Sequence, residues 1–195
     1  ESGQPFRSTD QPNPTDPYGI SKYEAEQVLL QLAQQSDLEV VIIRPVLVYG
    51  PQVKGNFNSL LKLSSTRIPL PLKSINNKRS MVYVENLVDF IFHCVDCSNI
   101  VNQVLLVSDD EDLSLPDTIR IMRKKLNIPP RLIPVPTSIY EVLEKVLKKE
   151  AIIDRLLGNL QVDITIDKTK LNWTPPYTVE QGIERTVLSY IKDYK

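Results

Sequence analysis

The chain has 195 residues, 42% of them hydrophobic, and its 23 lysines and arginines nearly balance 24 aspartates and glutamates for a formal charge of −1. That balance gives no broad electrostatic case for nucleic acid or an anionic membrane as partner. No apolar run approaches the roughly 20 residues that span a bilayer, and the length suits one large domain or two interleaved smaller ones.

Residues 1–15 carry Pro5, Pro12 and Pro14 among polar residues and read as an irregular surface segment. Asp16 as cap and Pro17 in the first helical position then open a helix to about Gln35. Ala25, Val28, Leu29, Leu32 and Ala33 have the three-and-four spacing of a packed face. Tyr18 and Lys22, four residues apart, share a side of its first turns. An ammonium beside a phenol favours the phenolate, so such a pair can exchange a proton with a substrate hydroxyl. Any amphipathic helix can carry the same spacing, so the pair alone decides nothing.

Glu39 to Arg44 is continuous and β-branched, as in a parallel strand buried on both faces. It ends at Pro45 and runs into Val48-Tyr49-Gly50-Pro51, a turn at the carboxyl end of the strand, where open α/β sheets bind ligands. Gly55 to Ser65 reads as a short helix with Phe57, Leu60, Leu61 and Leu63 on its apolar side. Ile68–Lys73 and Ser80–Val84 read as extended segments around an Asn76-Asn77 turn. Glu85 to Cys97 is an apolar helix in which His93 is expected to be packed. Cys94 and Cys97 form a lone C-x-x-C, and zinc would need two further soft ligands in a chain with one histidine. No metal site is expected, and the cysteines fit a reducing cytoplasm.

Gln103 to Val107 is a second parallel-strand candidate, and Ser114 caps a helix to about Leu126. Arg123, Lys124 and Lys125 on that helix read as a solvated basic face. Arg131–Pro136 is a short extended piece, and Thr137–Lys148 and Ala151–Leu157 read as helices, the first with a basic edge of Lys145, Lys148 and Lys149. Thr178 with Gln181 caps a last helix through Ile191.

Four ordered blocks carry a resemblance. Pro17 to Glu26 (PYGISKYEAE), Ile43 to Pro51 (IRPVLVYGP), Lys78 to Leu87 (KRSMVYVENL) and Leu171 to Pro176 with Val179 to Gly182 resemble the extended short-chain dehydrogenase/reductases. The resemblance is narrower to the NAD-dependent epimerase/dehydratase group acting on nucleotide sugars. It implies an α/β fold: a partial Rossmann-like parallel sheet with a smaller mixed α/β substrate-binding domain. Residues 1–52 with 78–108 would belong to the cofactor domain, and 53–77 with 109–195 to the substrate domain.

The resemblance also implies roles. Tyr18 would be the catalytic acid/base, and Lys22 would hold the nicotinamide ribose. Pro45 would lie near the nicotinamide, with Val46 and Val48 in the adjacent wall. Asn56 and Phe57 would sit over the substrate diphosphate, and Leu70, Pro71 and Leu72 would pass the base. Arg79 would pair with phosphate, which a guanidinium grips through two points. The residues themselves leave plainer roles open: core for Phe57, Leu70 and Leu72, a cap for Asn56, a strand terminator for Pro45 and a surface ion pair for Arg79.

Two positions depart from the family pattern. Many members have asparagine where this chain has Leu47, and an aromatic where it has Met81, so contacts to the sugar must differ there. The six glycines, at 3, 19, 50, 55, 158 and 182, form no G-x-x-G-x-x-G turn of the kind that cradles pyrophosphate on a helix N-terminus. The expectation is therefore the C-terminal part of a longer enzyme, inactive alone, with NAD as cofactor and NADP not excluded. It would bind a nucleotide-sugar substrate, reside in the cytoplasm and form a homo-oligomer, with an open edge near Val40–Ile43 promoting self-association. A keto-sugar-nucleotide reductase or dehydratase is the alternative within the family, and a non-catalytic nucleotide-binding module the alternative outside it.

Overall fold

The computed structural model describes residues 3–136, 139–140 and 158–193. The helices read over 137–157 lie outside the described residues, apart from Ile139 and Tyr140.

The first helix, α1 (Pro17–Gln34), starts as its sequence directs: the Asp16 carboxylate accepts from the backbone N–H groups of Tyr18 at 3.1 Å and Gly19 at 3.0 Å. Of the five residues expected on its packed face only Ala33 is buried. Tyr23, Glu26, Leu30 and Ala33 turn inward, whereas Val28, Leu29 and Leu32 are exposed. The physical reason is Glu26, whose carboxylate forms a two-point pair with the Arg44 guanidinium on the neighbouring strand, with Nε contacts of 2.9 and 3.2 Å. A half-buried fork of this kind fixes the helix's rotation, and the apolar stripe two residues along is left outward.

That strand, β1 (Val41–Pro45), lies parallel to β4 (Gln103–Val107), with Val41 opposite Gln103 and Pro45 opposite Val107. Among the described residues its other edge has no strand partner. A three-residue strand, β2 (Leu47–Tyr49), continues the chain into a second sheet of order β2-β3-β5. There it runs parallel to β3 (Arg79–Tyr83), with Leu47 opposite Met81, and β3 runs antiparallel to β5 (Asp112–Leu113). Gly50 follows with φ of +156°, and a Cβ there would come within 2.5 Å of Val84 Cγ1, so the turn requires glycine.

Further α-helices among the described residues are α2 (Gly55–Ser65), α3 (Val84–Val95), α4 (Leu115–Lys125), α5 (Thr165–Leu171) and α6 (Val179–Asp193). The Ser114 hydroxyl caps α4 by accepting from Asp117 N–H at 3.1 Å. Thr178 and Gln181 form a reciprocal box at the start of α6, each side chain accepting from the other's backbone N–H.

Ile68–Lys73 forms no strand beside β3. Instead Leu70 bridges to Leu132, giving its N–H to Arg131 and its carbonyl to Ile133 N–H. Asn77 is buried and its Oδ1 accepts from Leu115 N–H at 2.9 Å, so it ties this loop to the start of α4 instead of tipping a hairpin.

Two further expectations are corrected. Arg123 is fully buried rather than solvated: it reaches the carbonyls of Ser64 (3.3 Å), Thr66 (3.2 Å), Ile68 (2.8 Å) and Arg131 (3.2 Å), and so closes the end of α2. Burial lowers the affinity of that guanidinium for its proton, and the four acceptors replace the water it loses. His93 is exposed rather than packed, with Nδ1 2.9 Å from the Asp89 carbonyl.

Candidate active site

The residues singled out from sequence fall into three places. The first is the exposed opening of α1. Tyr18 is 72% exposed, and Lys22 Nζ lies 5.5 Å from the centroid of its ring, so the two share one open face. The Asp16 cap and Pro17 fix where that face begins.

The second place is the carboxyl end of β1. Alternation there turns Pro45 and Leu47 outward, while Val46 and Val48 are half-buried and pack against the cluster of Val82, Phe90 and Val107. Leu47 rather than Val46 or Val48 thus presents a side chain to the adjoining cavity.

That cavity, of about 310 Å³, is the third place and is of the size usual for ligand pockets. It brings together Asn56, Phe57 and Arg79, as the sequence reading expects. It also includes both positions that depart from the family pattern, Leu47 and Met81. Leu60 and Leu63 from α2 also line it, as do Leu113, Leu115 and Thr118. These five were not anticipated as site residues. The α2 signal was present but split: Leu61 goes to the core, Leu60 and Leu63 go to the cavity wall, and Phe57 is buried in the core while also lining the cavity.

Leu70, Pro71 and Leu72 are not among the cavity-lining residues. Leu70 and Leu72 are buried in a separate cluster with Ile75, Leu115, Ile119 and Tyr140. Tyr18, Lys22 and Pro45 are likewise outside the lining.

The floor rests on a buried polar network. Phe57, 2% exposed, stacks on Tyr49 with ring centroids 5.0 Å apart. The Tyr49 hydroxyl donates to Asp109 Oδ2 at 2.8 Å, and Asp109 Oδ1 accepts from Tyr83 N–H at 2.9 Å and Asn86 Nδ2 at 2.7 Å. Burial pushes the Asp109 carboxyl above its ordinary range, and these three donors oppose the shift. Burial also raises the Tyr49 phenol, reinforced by the neighbouring Asp109 charge, so Tyr49 acts as a donor and not as a base. Arg79 gives Nη1 to the Gly158 carbonyl at 3.1 Å, which aims its stem along the cavity wall.

Residues 1–104 match the family model described as "NAD dependent epimerase/dehydratase family". The chain belongs to this family. It is 47% identical over 191 residues to a UDP-glucose 4-epimerase of Vibrio cholerae, covering 97% of this chain and 58% of that protein. It is 29% identical to the N-acetyl-alpha-D-glucosaminyl-diphospho-ditrans,octacis-undecaprenol 4-epimerase of Escherichia coli O157:H7, covering 91% of this chain and 59% of that one. The chain thus spans under two thirds of the length of these relatives. Its fold is that of a UDP-glucose 4-epimerase from Thermotoga maritima, solved with UDP-glucose, at a TM-score of 0.76 and 21% identity over 100% of this chain and 60% of that one. A UDP-glucuronic acid 4-epimerase from Bacillus cereus, solved with NAD, gives the same TM-score at 19% identity, over 100% of this chain and 58% of that one.

NAD is the cofactor of this family, and its fit to this chain is partial. The resemblance assigns the nicotinamide-ribose end to Tyr18, Lys22 and Pro45, and all three are exposed. Nothing in the sequence suits the pyrophosphate, for want of the glycine-rich turn.

No helix among the described residues is long and apolar enough to cross a membrane. No group of three or more His, Cys, Asp or Glu side chains among them could hold a metal ion.

Proposed function

We propose that this chain supplies the acid/base pair and the substrate cavity of an NAD-dependent 4-epimerase acting on a sugar held through a diphosphate. The carrying observation is the Tyr18–Lys22 juxtaposition on an exposed, capped helix start, in a chain of this family. The two curated relatives' names differ in what carries the sugar, a nucleoside in one and a polyprenol in the other, and share the sugar diphosphate. A nucleoside diphosphate sugar is the direct reading of the resemblance.

In this reading Tyr18 Oη takes the proton of a sugar hydroxyl and later returns it, and Lys22 Nζ holds the cofactor ribose and the phenol in place. Bound NAD supplies the hydride acceptor, and no net oxidation results. Arg79 meets the diphosphate charge, with Asn56 beside it on α2. The exposed stripe of Val28, Leu29 and Leu32 supports a homo-oligomer.

The test is a chimera in which this chain replaces the matched segment of the V. cholerae relative. Epimerisation of UDP-glucose at C4 without accumulation of NADH is expected. Tyr18→Phe in that chimera should lower kcat by about 10²–10⁴-fold. An unaffected Tyr18→Phe variant would instead mark a binding module, and net cofactor consumption would mark a reductase.

A further inference from the structure

Among the described residues that line the cavity, Arg79 alone is charged. A guanidinium carries its five N–H donors in one plane, so where it points depends on what holds that plane. Here the support comes from outside the cavity, from residues 158–162. Three consecutive residues grip the first two of these. Asn77 Nδ2 and Arg79 Nη1 both donate to the Gly158 carbonyl, at 3.4 and 3.1 Å, and between them Lys78 N–H donates to Asn159 Oδ1 at 2.8 Å. Asn77 is itself fixed, because its Oδ1 accepts from Leu115 N–H at the start of α4. Beyond Asn159 the segment runs alongside β3: Leu160 N–H donates to the Lys78 carbonyl at 3.0 Å, and Ser80 N–H to the Leu160 carbonyl at 2.8 Å. Phe6 takes the opposite edge, bridging to Val162.

From Leu160 onward the segment is therefore anchored without help from Asn159. The carbonyl that holds Arg79 is not, because it belongs to a glycine, whose backbone turns at little steric cost. The side chain beside it supplies the restraint. The Gly158 carbonyl is the oxygen of the Gly158–Asn159 peptide, and Asn159, with Oδ1 on Lys78 N–H, fixes that peptide against the residue preceding Arg79. Resting on the reading of Arg79 as the diphosphate contact, we infer that Asn159 is a positioning residue for Arg79. It locks the peptide whose oxygen keeps the guanidinium in the orientation that meets the diphosphate. Asn159 is exposed and is not among the residues lining the cavity, so it acts through Arg79 and not by touching the ligand.

The experiment prepares this chain with Asn159→Ala, Asn159→Asp and Arg79→Ala. It reads the Arg79 guanidinium by nitrogen-15 NMR and the affinity for UDP-glucose by calorimetric titration. Because Asn159 is exposed, both substitutions there leave the fold intact, which a melting curve checks. In the unsubstituted chain the Arg79 Nη protons, identified by their absence from Arg79→Ala, should give separate signals, as hindered rotation about the Nε–Cζ bond requires. Asn159→Ala should merge them and weaken UDP-glucose binding about threefold to tenfold. Asn159→Asp keeps an oxygen for Lys78 N–H and should restore the separate signals.

Separate signals that persist in Asn159→Ala, or an Asn159→Asp variant as released as the alanine one, overturn the positioning role. So does a released guanidinium with undiminished affinity, provided Arg79→Ala itself weakens binding. Merged signals in Asn159→Ala together with full affinity in Arg79→Ala leave the positioning standing and overturn the diphosphate reading. If the unsubstituted chain binds no UDP-glucose, the site reading falls and the guanidinium signals decide the positioning.

Discussion

Asp109 is the residue whose removal the structure makes most consequential, and Asp109→Ala and Asp109→Asn separate the reasons. The alanine variant strips a carboxylate from three donors at once: the Tyr49 hydroxyl, Asn86 Nδ2 and Tyr83 N–H. Two of these keep an alternative. The Tyr49 hydroxyl lies 3.3 Å from the Val179 carbonyl, and Asn86 Nδ2 holds the Tyr177 carbonyl at 2.8 Å. Tyr83 N–H donates to Asp109, and a buried donor left without a partner costs about 1–3 kcal/mol. Adding the void left by the carboxylate and weakening of the other two bonds gives about 3–5 kcal/mol for Asp109→Ala. Asp109→Asn keeps Oδ1 for Tyr83 and Asn86, and its amide can donate to the Tyr49 oxygen while that hydroxyl turns to Val179, so about 1 kcal/mol is expected. Urea denaturation with an unchanged m value is the assay. The pH dependence adds a check whose sign is fixed. Because burial raises the folded-state value of Asp109 above its ordinary 3.8, its contribution to stability is fully present below that value and is lost as pH rises through the folded value. Wild type should therefore gain on Asp109→Asn as pH falls from 7 toward 4. An alanine variant within about 1 kcal/mol of wild type, or an asparagine variant as damaged as alanine, refutes the reasoning.

Arg123→Met should cost about 2–4 kcal/mol, because three carbonyls at the end of α2 and the following loop, and that of Arg131, lose their buried donor, and Arg123→Lys should recover little since an ammonium lacks the planar fork; equilibrium denaturation measures both. Gly182→Ala should destabilise by about 1–3 kcal/mol or more, because its Cβ would stand 2.5 Å from the Tyr49 hydroxyl oxygen and 2.9 Å from Tyr83 Cγ; a melting curve matching wild type would show that the rings can shift. Leu32→Glu on the exposed stripe of α1 should shift any self-association toward monomer with no loss of stability, as read by sedimentation velocity.

What the sequence made legible follows from how local each signal is. Asp16, Ser114 and the Thr178–Gln181 pair act within three residues of themselves, and each caps the helix expected of it. The apolar runs ending at Arg44 and Val107 pair in parallel, although of the first strand only Ile42 is buried, whereas Leu105, Leu106 and Val107 of the second all are. The rotation of α1 was hidden because it is set by Glu26 meeting Arg44, 18 positions along the chain, and periodicity ranks Val28 and Leu29 above a carboxylate. Arg123 was misread for the same reason: three adjacent basic residues look solvated, and only the fold shows that one of them turns inward to carbonyls 55–59 positions away. The strands β2 and β5 are too short, at three and two residues, for alternation to register. Asn56, Phe57 and Arg79 line one cavity, although only Arg79 lies in a motif block, and Leu113, Leu115 and Thr118 reach it from a different part of the chain with no motif to mark them.

The buried network and the cavity are one construction. Strand β3 carries Arg79 and Met81 at the cavity and ends at Tyr83, whose N–H is held by Asp109. Helix α2 carries Asn56, Leu60 and Leu63, and is seated by Phe57 stacking on Tyr49, whose hydroxyl is held by the other oxygen of the same carboxylate. One side chain therefore sets the spacing between the wall that bears Arg79 and the wall that bears Asn56, without touching the space between them. A carboxylate in that position costs desolvation that a leucine would not, but no apolar residue could hold a backbone N–H and a phenol at fixed directions together. Asp109→Ala should consequently weaken ligand binding in the cavity even under conditions where the variant remains folded, although no lining residue has changed.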